Sequence, residues 1–466
     1  MENFDCKILS LDFHHLKNTN HGRIDFMSPE AFASEDDDFG NVFGIYGQNG
    51  SGKSTAILAL SILQSLFLFQ PVRDEAGLSI SGWSPDADIT LSLGFRFSGS
   101  LFVFDYAVSL KKQADGGFMI AQETLASKAY NQGRWFKFAP TFNVGQALDP
   151  GLIFGTDTNL KNVAHSLLID TAKSLGSSLA TKRSVIFDPS LHDALGKKNN
   201  AEMLKLSQVI NVIHNWALGS FIVSSTVDQG CIESLGLLPL RIRHQDKDGG
   251  MVRAVPINLF QRNSIPDDVF KNVEEVINQF NIVVPAFLPN TKIQIAKLND
   301  PSKSQPGMTT FELMSLVNGY PIPLRNESDG TKRIISLCSS LFACYADEAV
   351  VLAVDEFDAG IFEYLFGEIV EVLSKGAAGQ LLFTSHNLRP LEVLAPKSLI
   401  LTTTDPEDRY EFFKGLKATN NPRDVYLRNA FLHTGSDRFY QPTSEYDITK
   451  AFMTIGELYR DGSNER

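Results

Sequence analysis

The chain contains 466 residues, of which 43% are hydrophobic and 21% are charged, a composition typical of globular proteins and a length sufficient for two or three hydrophobic cores. The formal net charge of −12 argues against a broad basic surface and therefore against avid, sequence-independent DNA binding. Four cysteines without C-x-x-C spacing argue against a zinc site or a disulfide framework, and no secretory signal or membrane-length apolar run is recognised. We therefore expect a cytoplasmic protein without a membrane partner.

The first predicted elements are two strands, around residues 7–13 and 22–26, and a third strand at residues 42–46. The segment GQNGSGKST follows the third strand directly and fits the pattern G-x-x-x-x-G-K-[ST]. In such a loop the backbone N–H groups surround a phosphate chain, Lys53 reaches the terminal phosphates and the hydroxyl of Ser54 ligates Mg²⁺. An ordinary glycine-rich turn is the alternative interpretation. The predicted nucleotide-binding residues are Gly47, Gln48, Asn49, Gly50, Ser51, Gly52, Lys53, Ser54 and Thr55.

Apolar residues after this loop predict a buried helix, which places the phosphates at a helix N-terminus. Strand patterns then occur at residues 89–97, 101–110 and 118–125, separated by turn signals, and predict an antiparallel flank. From about residue 150 to 290 the pattern is mainly helical. Apolar side chains share one helical face in two stretches of this region, namely Met203, Leu206, Val209, Ile210, Ile213 and Trp216, then Phe270, Val273, Ile277 and Phe280.

Strands return at residues 292–298 and 309–317, and the apolar run 349–354 ends in Asp355 and Glu356. A buried strand that delivers two carboxylates at its end would place Asp355 in the Mg²⁺ shell and Glu356 where it accepts a proton from the attacking water. A plain strand end is the alternative. Roughly 300 residues separate Lys53 from Asp355, so we expect a split site in which two lobes enclose one nucleotide.

Three further features lie in a fixed order around the Asp-Glu pair. A Ser-x-Gly motif precedes the pair at residues 328–330, Asp358 follows it, and Ser385-His386-Asn387 comes after one more strand pattern. In these motifs the chain resembles the ABC-type ATPase heads of the SMC, RecF and OLD group. It is most similar to the compact AAA-type ATPases of bacterial phage-defence systems, among them the AriA component of PARIS and the abortive-infection ATPases.

The resemblance implies a role for each motif. Ser328, Asp329 and Gly330 would form a signature that contacts, in trans, the γ-phosphate of ATP bound to the opposite subunit. Asp358 would be the D-loop aspartate that couples the two sites, and His386 would act with Glu356 in catalysis by hydrogen-bonding the γ-phosphate. A turn aspartate and a capping or core histidine are the respective alternatives.

The fold class that the resemblance implies is α/β, an ABC/SMC-type ATPase head of two lobes with a mixed sheet around the phosphate loop. We expect three segments: residues 1–150 as ATPase lobe I, residues 151–290 as a mainly helical insertion, and residues 291–466 as lobe II with a C-terminal extension. Long coiled-coil arms are not expected. The family's metal-contacting glutamine has only Gln70, Gln113 and Gln122 as candidates.

The leading functional hypothesis is a slow, Mg-dependent ATPase of an anti-phage system, acting as sensor and scaffold. ATP would hold a homodimer or higher homo-oligomer in one state, and a phage trigger would release or activate a separate effector, such as a Toprim-type nuclease. A RecF-like DNA repair or recombination ATPase and a pure binding module are the alternatives. A small basic surface for nucleic acid, or a merely solvated face, is predicted from Lys414, Lys417, Arg423 and Arg428.

Overall fold

The computed structural model describes residues 4–34, 40–97, 99–145, 172–174, 176–177, 181–197, 200–226, 237–246, 249–259, 261–298, 306–413, 422–431 and 444–463. Cys231, the acidic loop 35–38 and the basic residues Lys414 and Lys417 lie outside the described residues. The strands are β1 Phe4–Leu16, β2 Thr19–Asp25, β3 Val42–Tyr46, β4 Asp86–Phe97, β5 Ser100–Lys112, β6 Phe118–Asn131, β7 Arg134–Lys137, β8 Phe142–Gly145, β9 Phe221–Ser224, β10 Leu237–Asp246, β11 Gly249–Asn258, β12 Asn263–Pro266, β13 Thr291–Lys297, β14 Met308–Val317, β15 Tyr320–Pro323, β16 Val351–Val354, β17 Gln380–Thr384, β18 Leu399–Thr402 and β19 Tyr410–Phe412. The α-helices are α1 Pro29–Ser34, α2 Lys53–Phe67, α3 Asp74–Leu78, α4 Pro189–Gly196, α5 Ala201–Gly219, α6 Asp267–Phe287, α7 Asp329–Ala346, α8 Glu363–Gly376, α9 Pro422–Phe431 and α10 Glu445–Ser463.

A mainly parallel sheet carries the phosphate loop. Its strand order is β19-β18-β3-β17-β16-β9, with β18, β3, β17, β16 and β9 parallel and β19 as an antiparallel edge. Every residue of β3, β16 and β17 is buried, as expected for strands covered on both faces. Because parallel strands end at a common edge, the loops after β3, β17 and β16 meet there.

Alternate residues of the central strands face two separate cores. Val351 and Ala353 of β16 pack with α2, α5 and the antiparallel sheet, whereas Leu352 and Val354 pack with α6, α7 and α8. Burying one side chain of this size contributes about 1.5–3 kcal/mol, so helices on both faces fix the strand register firmly.

The antiparallel flank is a seven-stranded sheet in the order β2-β1-β4-β5-β6-β7, with β8 paired to β6. Buried positions alternate with partly or fully exposed ones over residues 86–92 of β4, where one face packs on the core and the other is open to solvent. The prediction of an α/β fold with an antiparallel flank is confirmed. Among the described residues the longest helix is α6, with 21 residues, so the described part of the chain contains no long coiled-coil arm.

The two predicted amphipathic faces of the middle segment are confirmed. The apolar residues listed for them are buried in α5 and α6, and α6 begins directly after Pro266. The same segment also contains β9 to β12, which the sequence pattern did not predict. β9 has only four residues, and so short an apolar run does not distinguish a strand from a continuation of the preceding helix.

Among the described helices, none combines the length and the apolar character that a membrane crossing requires.

Candidate nucleotide site

The phosphate loop lies between the end of β3 and the start of α2. Gly50 and Gly52 have φ angles of 77° and 97°, a left-handed conformation that favours glycine. Gly52 is the residue before α2, and no side chain caps this end of the helix. The N-terminus of α2 therefore lies at the loop without an N-cap side chain, which is the arrangement that suits an anion.

Lys53, the first residue of α2, is folded back into the loop. Its Nζ donates hydrogen bonds to the carbonyl oxygens of Gly47 at 2.8 Å and Gln48 at 3.0 Å, and only 7% of the residue is exposed. Burial lowers the pKa of the Lys53 ammonium, while the charges of Asp355, Glu356 and Asp358 act in the opposite direction. The lysine therefore lies within electrostatic range of all three carboxylates of the loop after β16.

Asp355 and Glu356 are both positioned by Thr384, the last residue of β17. The Thr384 hydroxyl donates to Oδ1 of Asp355 at 2.6 Å and accepts from the backbone N–H of Glu356 at 2.8 Å. Asp355 is 2% exposed, whereas the Glu356 side chain is exposed at the edge of the sheet. The structure thus separates a buried carboxylate from an accessible one, which suits a metal ligand and a proton acceptor, respectively.

Glu356 has a left-handed backbone with φ 46°, a conformation that costs a non-glycine residue about 1–2 kcal/mol. The following residue, Phe357, is fully buried, and its ring packs edge-on against Phe366 at 5.0 Å and Phe383 at 5.7 Å between ring centroids. Its N–H also donates to the carbonyl oxygen of Thr384. These contacts hold the turn in place and keep the Glu356 side chain pointing out of the core.

Asp358 joins the loop after β16 to the loop after β17. Its carboxylate accepts the backbone N–H of His386 at 3.2 Å and that of Asn387 at 3.0 Å. The His386 side chain is exposed. The structure therefore brings Asp358 and His386 together, while their roles in coupling and catalysis stay predictions.

The predicted signature lies at the N-terminus of α7. Ser328 caps this helix, because its Oγ accepts the N–H of Thr331 at 3.1 Å, and Asp329 forms an ion pair with Lys332 at 2.8 Å. Gly330 packs against the loop after Glu356, since a Cβ at this position would lie 2.2 Å from the carbonyl oxygen of Gly360. Ser328 and Gly330 thus each have a structural role within one chain, and their contact with a partner's nucleotide stays a prediction.

Several residues that support the phosphate loop were missed in the sequence. The hydroxyl of Tyr410 donates to the carbonyl oxygen of Gly52 at 2.5 Å, and the side-chain amide of Asn18 donates to the carbonyl oxygen of Gly50. A Cβ at Gly47 would collide with the Thr402 hydroxyl, so β18 also supports the loop. These partners are more than 30 residues away in sequence, and no local sequence pattern marks their contact with the loop.

The end of β9 completes the edge of the sheet beside β16. The carbonyl oxygen of Ser224 accepts the N–H of Asp355 at 2.9 Å. Ser225 and Thr226 then line a cavity of about 90 Å³ together with Ser54 and Asp355. The glutamine candidates lie elsewhere: Gln70 and Gln113 are exposed, and Gln122 donates to Asn143 on β8.

The predicted basic surface is only partly described. Arg423 forms ion pairs with Glu392 at 2.7 Å and with Glu363 at 3.9 Å, so its charge is neutralised within the chain. This finding argues against Arg423 as part of a free basic surface for nucleic acid.

A phosphate loop between strand and helix, with an Asp-Glu pair two strands away in the same parallel sheet, defines a P-loop nucleotide-binding fold. Residues 231–392 match the family model described as "AAA domain, putative AbiEii toxin, Type IV TA system". The matched segment includes the Ser-x-Gly motif, the Asp-Glu pair, Asp358 and His386 but not the phosphate loop. Together, the loop and the family match support an ATPase.

The chain is also similar to solved structures at low sequence identity. These include the Smc head bound to the C-winged helix domain of ScpA, with 12% identity, a TM-score of 0.37 and coverage of 87% of this chain and 96% of that one. The SMC head domain from Thermotoga maritima is 12% identical with a TM-score of 0.34, and the match covers 88% of this chain and 100% of that one. The recombination mediator protein RecF with ATPrS is 13% identical with a TM-score of 0.34, and the match covers 82% of this chain and 93% of that one. No match was found among curated proteins.

Proposed function

We propose that the chain binds ATP with Mg²⁺ and hydrolyses it slowly. The observation that carries this proposal is that the phosphate loop after β3 and the Asp355-Glu356 pair after β16 lie at one edge of one sheet, where Ser54 and Asp355 line the same cavity. On binding, the triphosphate would replace the carbonyl oxygens of Gly47 and Gln48 as partner of the Lys53 ammonium.

The oxygen ligands that Mg²⁺ needs are available at this edge. The Asp355 carboxylate and the Ser54 hydroxyl line the same cavity, and hard oxygen donors are the ligands that Mg²⁺ prefers. When bound, the ion would neutralise charge on the phosphates. Glu356, exposed and held out of the core by its turn, would accept a proton from the attacking water.

The signature is proposed to act in a second copy of the chain. Ser328 and Asp329 are exposed at the N-terminus of α7, where a hydroxyl and helix N–H groups suit a γ-phosphate. A two-fold dimer would bring the signature of each copy to the phosphate loop of the other. His386, also exposed, would contact the same phosphate and register its loss after hydrolysis.

We further propose that the ATP-bound assembly is the sensor and scaffold of an anti-phage system in the cytoplasm. The support is the description of the matched family, a putative toxin of a type IV toxin-antitoxin system, together with the resemblance to defence ATPases such as AriA. ATP contacts from two copies would favour one state of the assembly, and a phage trigger would shift that state so that a separate effector is released or activated.

The ATPase proposal is tested by nucleotide binding and phosphate release of the purified full chain and its Lys53→Ala variant. We expect Lys53→Ala to weaken ATP binding by about 100-fold or more, because it removes a buried charge partner of the phosphates. Lys128→Ala is the matched control, since Lys128 pairs with Asp105 on the exposed sheet face. Equal ATP affinity of Lys53→Ala and wild type would contradict the proposal.

The biological role is tested separately. Phage infection of cells that carry the wild-type gene with its neighbouring genes should be restricted, and Lys53→Ala should lose this protection. ATP hydrolysis that DNA stimulates with a steep salt dependence, without phage restriction, would instead indicate the RecF-like repair function. Full protection by the hydrolysis-deficient Glu356→Gln variant would indicate a pure binding module.

A further inference from the structure

A cluster of two histidines and one aspartate lies on the solvent face of the antiparallel sheet. His14 of β1 and His21 of β2 are directly opposite each other in the strand register. Asp12 precedes His14 by two residues and so lies on the same face of β1. Because all three residues belong to hydrogen-bonded strands, the sheet backbone fixes their relative positions.

The two separations between the Asp12 carboxylate and the histidine nitrogens are close to those between the ligands of a metal ion. Oδ1 of Asp12 is 3.2 Å from Nε2 of His14, and Oδ2 of Asp12 is 3.4 Å from Nε2 of His21. A tetrahedral ion with bonds near 2.0–2.1 Å holds its ligands about 3.3 Å apart. The potential ligand atoms of the three residues all lie within 4.8 Å of one another, and the two imidazole rings are stacked with centroids 4.5 Å apart.

One positive charge competes for the same carboxylate. Nη1 of Arg23 approaches Oδ2 of Asp12 at 3.4 Å, but Nε of Arg23 donates to both oxygens of Asp25, at 2.9 and 3.1 Å. The shorter contacts with Asp25 would remain if Arg23 left Asp12. The competing ion pair is therefore the weaker of the two that Arg23 makes, and a divalent ion can replace it.

We propose that Asp12, His14 and His21 bind one divalent transition-metal ion of the Zn²⁺ type. Two imidazoles and one carboxylate select such an ion over Mg²⁺ or Ca²⁺, which prefer oxygen ligands alone. This ligand set contains no cysteine, so the cysteine spacing that argued against a zinc site does not bear on it. The side chains of His14 and His21 are 44% and 35% exposed, which leaves coordination positions open to water or to a ligand from solution. None of these three residues lines the cavity that contains Ser54 and Asp355, so the two sites are separate.

The ion would link β1 to β2 close to the turn that touches the phosphate loop. Asn18 in that turn donates to the carbonyl oxygen of Gly50 and accepts from the Arg409 guanidinium. A metal ion on the hairpin would therefore stabilise the outer support of the loop. The metal site does not depend on the proposed ATPase activity, so the two proposals can fail separately.

The test is Zn²⁺ binding to the full chain in Mg-free, nucleotide-free buffer, measured by competition with a chromophoric chelator and checked with Co²⁺ absorption. We expect one equivalent to bind, and His14→Asn and His21→Asn each to weaken it by about 100-fold. The matched control is His15→Asn, because His15 instead contacts Ser84 and Asp86. Asp355→Asn should also bind Zn²⁺ as the wild type does.

Unchanged Zn²⁺ affinity in both His14→Asn and His21→Asn, or an equal loss in His15→Asn, would overturn the proposal. Arg23→Gln gives an independent check with the opposite sign, because it removes the competing charge and should tighten Zn²⁺ binding several-fold. Weaker binding by Arg23→Gln would contradict the assignment of Asp12 as a ligand.

Discussion

The two halves of the candidate nucleotide site differ in burial. Lys53 and Asp355 are 7% and 2% exposed, and strands of a single sheet hold them together. Ser328, Asp329 and His386 are exposed, and their described hydrogen bonds go to neighbouring residues or to Asp358. The buried half is thus organised within one copy of the chain, whereas the exposed half is available to another surface. This difference is what a shared site between two copies requires.

The largest expected effect is on Glu356, at the edge of the parallel sheet, and it separates ATP binding from ATP hydrolysis. Glu356→Gln should lower phosphate release by about 100-fold or more, because an amide cannot accept the proton, while ATP affinity stays within a few-fold of wild type. Glu371→Gln, on the exposed face of α8, is the matched control. Wild-type phosphate release by Glu356→Gln would remove it as the catalytic base.

The next effect tests whether Ser328 acts beyond its own helix. Ser328→Asp retains an N-cap side chain, so the free energy of unfolding should change by less than about 0.5 kcal/mol. A carboxylate facing a γ-phosphate should nevertheless reduce ATP-dependent dimerisation and phosphate release by at least about 10-fold. Thermal unfolding and sedimentation with ATP measure the two quantities. An unaltered ATP-bound dimer would mean that Ser328 serves only as a helix cap.

A smaller effect concerns Thr384, the residue of β17 that hydrogen-bonds the Asp355 carboxylate and the Glu356 backbone N–H. Thr384→Val keeps the shape of the side chain but removes both the hydrogen bond that Thr384 donates to Asp355 and the one that it accepts from the Glu356 N–H, at a cost of about 1–3 kcal/mol in unfolding free energy. Phosphate release should fall by about 10-fold because Glu356 is less firmly placed. Thr90→Val on the exposed face of β4 is the control. Equal changes of unfolding free energy and of phosphate release in the two variants would contradict the assigned role of Thr384.

The smallest effect concerns the outer support of the phosphate loop. Tyr410→Phe removes one hydrogen bond to the carbonyl oxygen of Gly52, which is worth about 1 kcal/mol. ATP affinity should fall by several-fold without a change in the rate of hydrolysis at saturating ATP. A large loss of rate at saturation would show that Tyr410 acts on catalysis rather than on the loop.

The placement of Lys53 and Asp355 at one edge of a sheet could be predicted from the sequence because its signals are local. The GQNGSGKST segment, the strand before it and the apolar run before Asp355 are contiguous patterns, and the rule that parallel strands end at one edge brings them together. The antiparallel flank followed from alternation and turn residues in the same way.

The contacts that hold the site in position could not be predicted. Thr384 was recognisable as a strand end but not as the hydroxyl that binds two neighbouring residues. Asn18, Thr402 and Tyr410 reach the phosphate loop from distant parts of the chain, and nothing local in their segments marks that contact. Likewise, the pairing of β9 with β16 depends on tertiary packing of a four-residue strand.

The most direct test of the shared site is a mixing experiment with two inactive variants. Lys53→Ala lacks the phosphate-loop lysine, and Ser328→Asp lacks the signature serine, so each alone should release little phosphate. Each hybrid dimer in an equal mixture would have one intact site, so phosphate release should rise above that of either variant alone, to at most about a quarter of the wild-type rate if all dimers form equally well and the sites act independently. A mixture as inactive as its components, although hybrid dimers form, would contradict a site built from two copies of the chain.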